Sequence, residues 1–132
     1  MSVVKFDPGF RLSKLDCWVV AIGVVATVGV ASIQLTLGVV IAFTVGHFFL
    51  FCNIFRMSRV RELIWSGVFV ASFTASVGFG IPSLIQTFGF MLLLTLALVI
   101  LELRSPAYHG IFWQKVNPSL EAWWHTHKKV LS

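Results

Sequence analysis

Two stretches decide how this chain folds: CWVVAIGVVATVGVASIQLTLGVVIAFTVGHFFLFC (Cys17–Cys52) and LIWSGVFVASFTASVGFGIPSLIQTFGFMLLLTLALVIL (Leu63–Leu101). They are 36 and 39 residues long, and neither contains an Asp, Glu, Lys or Arg. A single helix crosses the roughly 30 Å of bilayer hydrocarbon in about 20 residues. Straight helices of these lengths are nearly twice too long, and tilt cannot absorb such a mismatch. Each stretch therefore reads as a helical hairpin.

The turns can be placed from composition. Gly78, Gly80, Pro82 and Ser83 cluster at the middle of the second stretch, and Pro disfavours helix at the residue before it. Ala31, Ser32, Ile33 and Gln34 mark the middle of the first. The expected helices lie near 17–32, 35–52, 63–80 and 84–101. A long tilted helix with a re-entrant segment is disfavoured, because irregular backbone at that depth must be buried in protein.

Outside these stretches lie all the charges: 10 Lys and Arg and 5 Asp and Glu. Residues 1–16, 53–62 and 102–132 carry formal charges of +1, +2 and +2, within a net +5. Cationic loops are retained on the cytoplasmic side. Both termini and the central loop are thus expected to be cytoplasmic, which four spans allow. The first apolar run is too long for a cleaved signal peptide. A plasma (inner) membrane is the expected location.

Composition agrees with this class. The chain has 132 residues, 58% hydrophobic and 11% charged, where soluble domains carry about a quarter charged residues. Its mean hydropathy is +0.91. Disorder and a disulfide scaffold are excluded, and two cysteines at the cytoplasmic ends of the first two helices read as small buried hydrophobes. The expected fold is an all-α integral membrane domain spanning residues 1–132: four transmembrane helices as two hairpins, and a short cytoplasmic amphipathic helix.

That last helix is expected near 118–131. Asn117 suits an N-cap and Pro118 the first helical position. Leu120, Trp123, Trp124, His127 and Leu131 follow the spacing of one helical face, with Glu121, His125, Lys128 and Lys129 on the others. Such a helix lies on the bilayer surface, or its tryptophans enter a partner's groove. Trp113, Trp123, Trp124, Lys128 and Lys129 are accordingly candidate lipid-surface or partner contacts. So are Arg56, Arg59 and Arg61 of the central loop, which face anionic headgroups.

Small residues recur at four-residue spacing, as Gly38, Ala42 and Gly46 in the second helix and Gly67, Ala71 and Ala75 in the third. In lipid, helices associate where small side chains let backbones approach. These faces either pack the helices of one bundle or join copies of the chain. The fourth helix, with Met91-Leu92-Leu93-Leu94, is bulkier and is expected to face lipid.

Candidate chemistry is sparse. His47 is the one imidazole within a span, and such groups are functional hypotheses by default. It could ligate haem or a pigment, but no other span supplies a second His. The plainer alternative is a histidine satisfied by hydrogen bonding. No nucleophile–base pair, phosphate loop or zinc spacing is present, so neither an enzyme nor a cofactor is expected. The basic balance serves topology, and nucleic acid is not an expected partner. The spans lack the carboxylates of ion-coupled transporters. Two functions remain. One is a non-catalytic structural or accessory subunit packing against itself or a larger membrane complex. The other is a small homo-oligomeric channel or passive transporter lined by hydroxyls of the first three helices.

Overall fold

The computed structural model describes residues 6–131, with side chains to His127. It is all-helical among the described residues: α1 (Lys14–Ala31), α2 (Leu35–Phe49), α3 (Arg59–Phe79), α4 (Leu84–Leu103), α5 (Trp113–Val116) and α6 (Leu120–Leu131). A π-helical turn, Leu50–Ile54, prolongs α2. Four helical segments of 18 to 21 residues, Lys14–Ala31, Leu35–Ile54, Arg59–Phe79 and Leu84–Leu103, are long and apolar enough to cross a membrane.

Local chemistry explains where these helices start and stop. Ser13 caps α1 in a capping box with Asp16, and Ser83 caps α4 in another with Gln86. In each box the serine oxygen and the reciprocal side chain satisfy backbone N–H groups that the first helical turn leaves unpaired. Gln86, which could have faced a headgroup, is thereby committed to its own helix end. Gly80 ends α3 at φ +72°, a left-handed conformation open to a residue without Cβ. Ser32, Ile33 and Gln34 separate α1 from α2.

Helix α1 packs along α2, and α3 packs along α4. The α1–α2 contact is close because two glycines permit it. A Cβ on Gly38 would fall 2.7 Å from the Ala31 Cα, and one on Gly23 would fall 2.8 Å from a Val45 methyl. Aromatic rings join α2 to α3 and α4. Phe43 meets Phe88 of α4 edge-on at 4.9 Å and stacks on Phe69 of α3 at 5.9 Å. The Trp65 indole N–H donates to Thr95 Oγ1 at 2.9 Å, and that hydroxyl donates to the Met91 carbonyl. Phe51, Met57, Trp65, Phe69, Met91, Leu98 and Val99 form the buried core.

Three expectations are corrected here. Helix α4 is not simply an outer helix: Leu92, Leu93 and Leu96 are exposed, but Thr87, Met91, Thr95, Leu98 and Val99 are buried. Of the small residues, Gly38 is buried and Ala75 half-buried, whereas Ala42, Gly46, Gly67 and Ala71 are exposed. Large aromatic rings fill the space between the two pairs of helices, so small-residue approach is confined to the α1–α2 seam. Cys17 and Cys52 are free and exposed rather than buried.

The glycine geometry separates two kinds of position. Gly38→Ala forces the α1–α2 seam apart and should cost about 1–3 kcal/mol, more than the helix propensity it gains. Gly46→Ala and Gly67→Ala meet no heavy atom within 4 Å, and should be neutral or stabilising by up to about 1 kcal/mol. Thermal unfolding of the three variants in a mild detergent checks this order.

Candidate functional site: a polar cleft where three segments meet

At one end of the helices the chain's charged segments are tied to one another. Residues before α1 reach the loop after α2 through a reciprocal pair. The Arg11 N–H donates to the Asn53 carbonyl at 3.1 Å, and Asn53 Nδ2 donates to the Arg11 carbonyl at 2.7 Å. Asn53 is buried by the π turn, which shifts the register of α2 just before it ends. The segment after α4 joins through Gly9 N–H to the His109 carbonyl, 2.7 Å, and Ile111 N–H to the Ile54 carbonyl, 2.8 Å. Gly110 lies against the loop so closely that a Cβ there would sit 2.5 Å from the Phe55 carbonyl oxygen.

Tyr108 and Asn117 hold this tail in shape. Tyr108 is fully buried and its hydroxyl donates to the Ile111 carbonyl at 2.6 Å. Asn117 donates through Nδ2 to the carbonyls of Pro106 (2.8 Å) and Tyr108 (3.1 Å). Asn117 is therefore a buried staple rather than the N-cap of the final helix. The helix begins at Leu120, leaving Pro118 in the turn before it. The face picked out by spacing is its more buried one and packs on the chain's own Phe6, while the Leu131 side chain lies outside the described residues. Leu120 is buried and Trp123, Trp124 and His127 are half-buried, while Glu121, Ala122, His125 and Thr126 are exposed. Trp123 stacks on His127 at 4.6 Å. Phe6 contacts Trp113 and Trp124 edge-on, at 5.9 and 5.5 Å. The side chains of Lys128 and Lys129 lie outside the described residues.

Between these segments opens a cleft of about 430 Å³, lined by Cys52, Arg56, Ser58, Arg59, Glu62, Glu102 and His109 among others. Its two carboxylates are held. Glu102, 3% exposed, forms an ion pair with Arg61. Glu62 accepts the Cys52 thiol at 3.1 Å and lies 3.9 Å from Arg59. The Arg61–Glu102 pair joins the first turn of α3 to the last turn of α4; Arg104 is exposed. The three candidate arginines thus differ. Arg61 is spent on Glu102, Arg59 is largely exposed, and Arg56 is half-buried with its guanidinium on the Asp7 carbonyl.

Burial shapes the titration here. It pushes the Tyr108 hydroxyl up to about 12, with the Glu102 charge adding to the shift. It also lowers the His109 imidazole, against an opposing hydrogen bond from Nδ1 to the Ala107 carbonyl at 2.8 Å. Arg56 is lowered by the same loss of solvation, reinforced by Arg11.

His47 lies elsewhere, in α2. Its Nδ1 donates to the Phe43 carbonyl at 2.7 Å, and its ring stacks on Trp65 at 4.8 Å with Phe51 edge-on. It is thus hydrogen-bonded within its own helix and packed among aromatic rings. Among the described residues no three His, Cys, Asp or Glu side chains gather as metal ligands.

Sequence reasoning missed Asn53, Tyr108, Gly110 and Asn117 as the residues that assemble this end. The chain matches no family model, and no curated protein or solved structure is significantly similar to it.

The chain has 1 tyrosine, so tyrosinate absorbance reads Tyr108 alone. Half-ionisation is expected at about 12 rather than near the ordinary value of about 10. Because the folded-state value is raised, this group's stabilisation is complete below about pH 10 and is lost as pH rises toward 12. Gly110→Ala or Asn117→Ala should free the tail, return the titration toward 10 and make the tail sensitive to protease. An unchanged titration in both variants would show that Tyr108 is not held by this docking.

Proposed function

We propose that the chain is a non-catalytic integral membrane protein that acts as a structural or accessory subunit, assembling through the outer face of α3. In this reading the four long helices cross a plasma membrane as two hairpins, with both termini and the central loop cytoplasmic. The bilayer is its surroundings, and a second copy or a larger membrane complex is its partner.

The observation that carries the assembly is the exposure of Gly67 and Ala71. They lie one turn apart on α3, and space around a Gly67 Cβ is empty to 4 Å. A helix of another chain can approach such a face closely, and close packing is the main source of helix association in lipid. Support for membrane insertion comes from the apolar flanks. Val25, Leu93 and Val77 are 72, 69 and 67% exposed, an arrangement that water disfavours and hydrocarbon accepts. Support for the orientation comes from the meeting of three net-positive segments at one end, which an even number of crossings produces. The half-buried tryptophans and polar outer face of α6 suit a helix lying at that surface.

The channel alternative draws less support. Three of the hydroxyls that would line it are engaged within their own helices: Thr27 donates to the Gly23 carbonyl, Thr44 to the Val40 carbonyl and Ser66 to the Glu62 carbonyl, whereas the buried Ser76 hydroxyl has no partner. Such back-bonded hydroxyls offer little to a passing ion.

Assembly is tested by mass in mild detergent. The wild-type protein should run as more than one copy, or bring a partner with it. The double variant Gly67→Leu, Ala71→Leu should reduce the mass to one chain without lowering thermal stability, since both positions are exposed. A wild-type protein that is monomeric and alone rejects this function.

Topology is tested by labelling with an impermeant thiol reagent after Cys17→Ser and Cys52→Ser. Applied from outside intact cells, the reagent should reach Ser83→Cys and not Ser58→Cys. Outside labelling at position 58 rejects the orientation.

A further inference from the structure

Two buried side-chain oxygens make no hydrogen bond among the described residues: Ser76 Oγ on α3 and Thr87 Oγ1 on α4. Ser76 is 7% exposed and Thr87 1%. Thr27, Thr44, Ser66 and Thr95 each donate to the carbonyl four residues back, and these two hydroxyls do not. A buried hydroxyl is costly without a partner, and in folded proteins that partner is a protein group or an ordered water.

The two oxygens belong to one place. Helix α3 packs along α4, tied by Arg61–Glu102 at one end and by Trp65–Thr95 farther along. Ser76 lies as many residues beyond Arg61 as Thr87 lies before Glu102, about 22 Å along each helix. They therefore come level at the far end of the seam. Ser76 is three turns on from Trp65 and shares its face, while Thr87 shares a face with Met91 and Thr95. Trp65, Phe69, Met91 and Leu98 fill the seam elsewhere, and here two short side chains face it. Ser76 is one turn from the end of α3 and Thr87 one turn from the start of α4, so bulk water is about 6 Å away along the helices.

We infer that one water molecule is bound between Ser76 and Thr87 and bridges α3 to α4, a third polar tie along the seam. Each hydroxyl can donate and accept, and neighbouring helix carbonyls have a second lone pair, so the water finds the two to four partners that a buried water needs. The site is on the inner face of α3, away from Gly67 and Ala71. Failure of assembly appears as a monomeric mass and leaves this site intact.

The test uses the full chain in mild detergent and has two arms. In the first, Ser76→Ala and Thr87→Val are unfolded by heat, singly and together. A bridging water makes each single variant lose about 3 °C or more in midpoint, and the double variant little more than either, because one substitution already breaks the bridge. Orphaned hydroxyls would raise the midpoint in each single variant, and hydroxyls bonded to their own helices would give additive changes; either result overturns the inference. In the second arm, brief X-ray radiolysis activates bound water, which then hydroxylates the side chains beside it. Met91 is fully buried and one turn from Thr87. It should be labelled in the wild-type protein and at least fivefold less in the double variant, with Met57, near the opposite end of α3, labelled equally in both. A wild-type Met91 that escapes labelling overturns the inference whatever the variants do. Non-additive unfolding with equal Met91 labelling in both proteins also overturns it, since the hydroxyls would then bond directly to each other.

Discussion

Glu102 sits at the end of an apolar helix with almost no access to solvent, and an unpaired carboxylate there would be severely penalised. Its compensation by Arg61 organises the polar end of the protein. Removing one partner of a buried ion pair typically costs about 3–5 kcal/mol, because the other charge is left stranded. Arg61 belongs to the first turn of α3, so the pair clamps the start of α3 to the end of α4. Glu102 also approaches the Ser58 N–H, at 3.4 Å, and brings the central loop to the same place. The α3–α4 pair is thus closed electrostatically at one end and by the Trp65–Thr95 hydrogen bond farther along.

The rest of the polar end is built from main-chain groups rather than charges. Backbone amides of Gly9, Arg11 and Ile111 find carbonyls in distant segments, and Asn53 and Asn117 extend the same pattern through their amides. Such bonds demand close approach, which explains why Gly110 lies directly against the Phe55 carbonyl. Arg59 and Arg104 stay exposed, whereas the carboxylates of Glu62 and Glu102 are buried. Arg56 is half-buried beside them, its guanidinium donating to the Asp7 carbonyl.

Between the helices the packing follows two different rules. At the α1–α2 seam, glycine removes side-chain volume and the backbones close up. Between α2, α3 and α4, aromatic rings supply the volume instead. Phe43, His47, Trp65 and Phe69 form a continuous stack across α2 and α3, with Phe88 reaching in from α4. Favourably oriented aromatic pairs contribute about 0.5–1.5 kcal/mol beyond their area. His47 is absorbed into this stack, its polarity answered by the Phe43 carbonyl. Gly67 and Ala71 of α3 are left over by this arrangement and face outward.

The sequence by itself determined the helices. Two charge-free runs too long for one crossing each, broken at Ser32–Gln34 and at Gly80–Ser83, set four helical segments, because hydropathy and turn chemistry act over neighbouring residues. The amphipathic face of α6 followed from spacing alone for the same reason. The pairing of Arg61 with Glu102 was also within reach, since both flank apolar runs that must end at one surface. Only the tertiary structure decided which faces meet. A four-residue repeat shows that Gly38, Gly46 and Gly67 line smooth faces, but not which of them is covered. The close approach of Ala31 covers Gly38, and nothing lies within 4 Å of a Cβ on Gly46 or Gly67. Asn117 reads locally as a helix cap and is instead a staple, because carbonyls at Pro106 and Tyr108 compete for its amide. The cleft around Arg56 joins residues 52 through 109, and contacts across such separations are made by packing that no local pattern encodes.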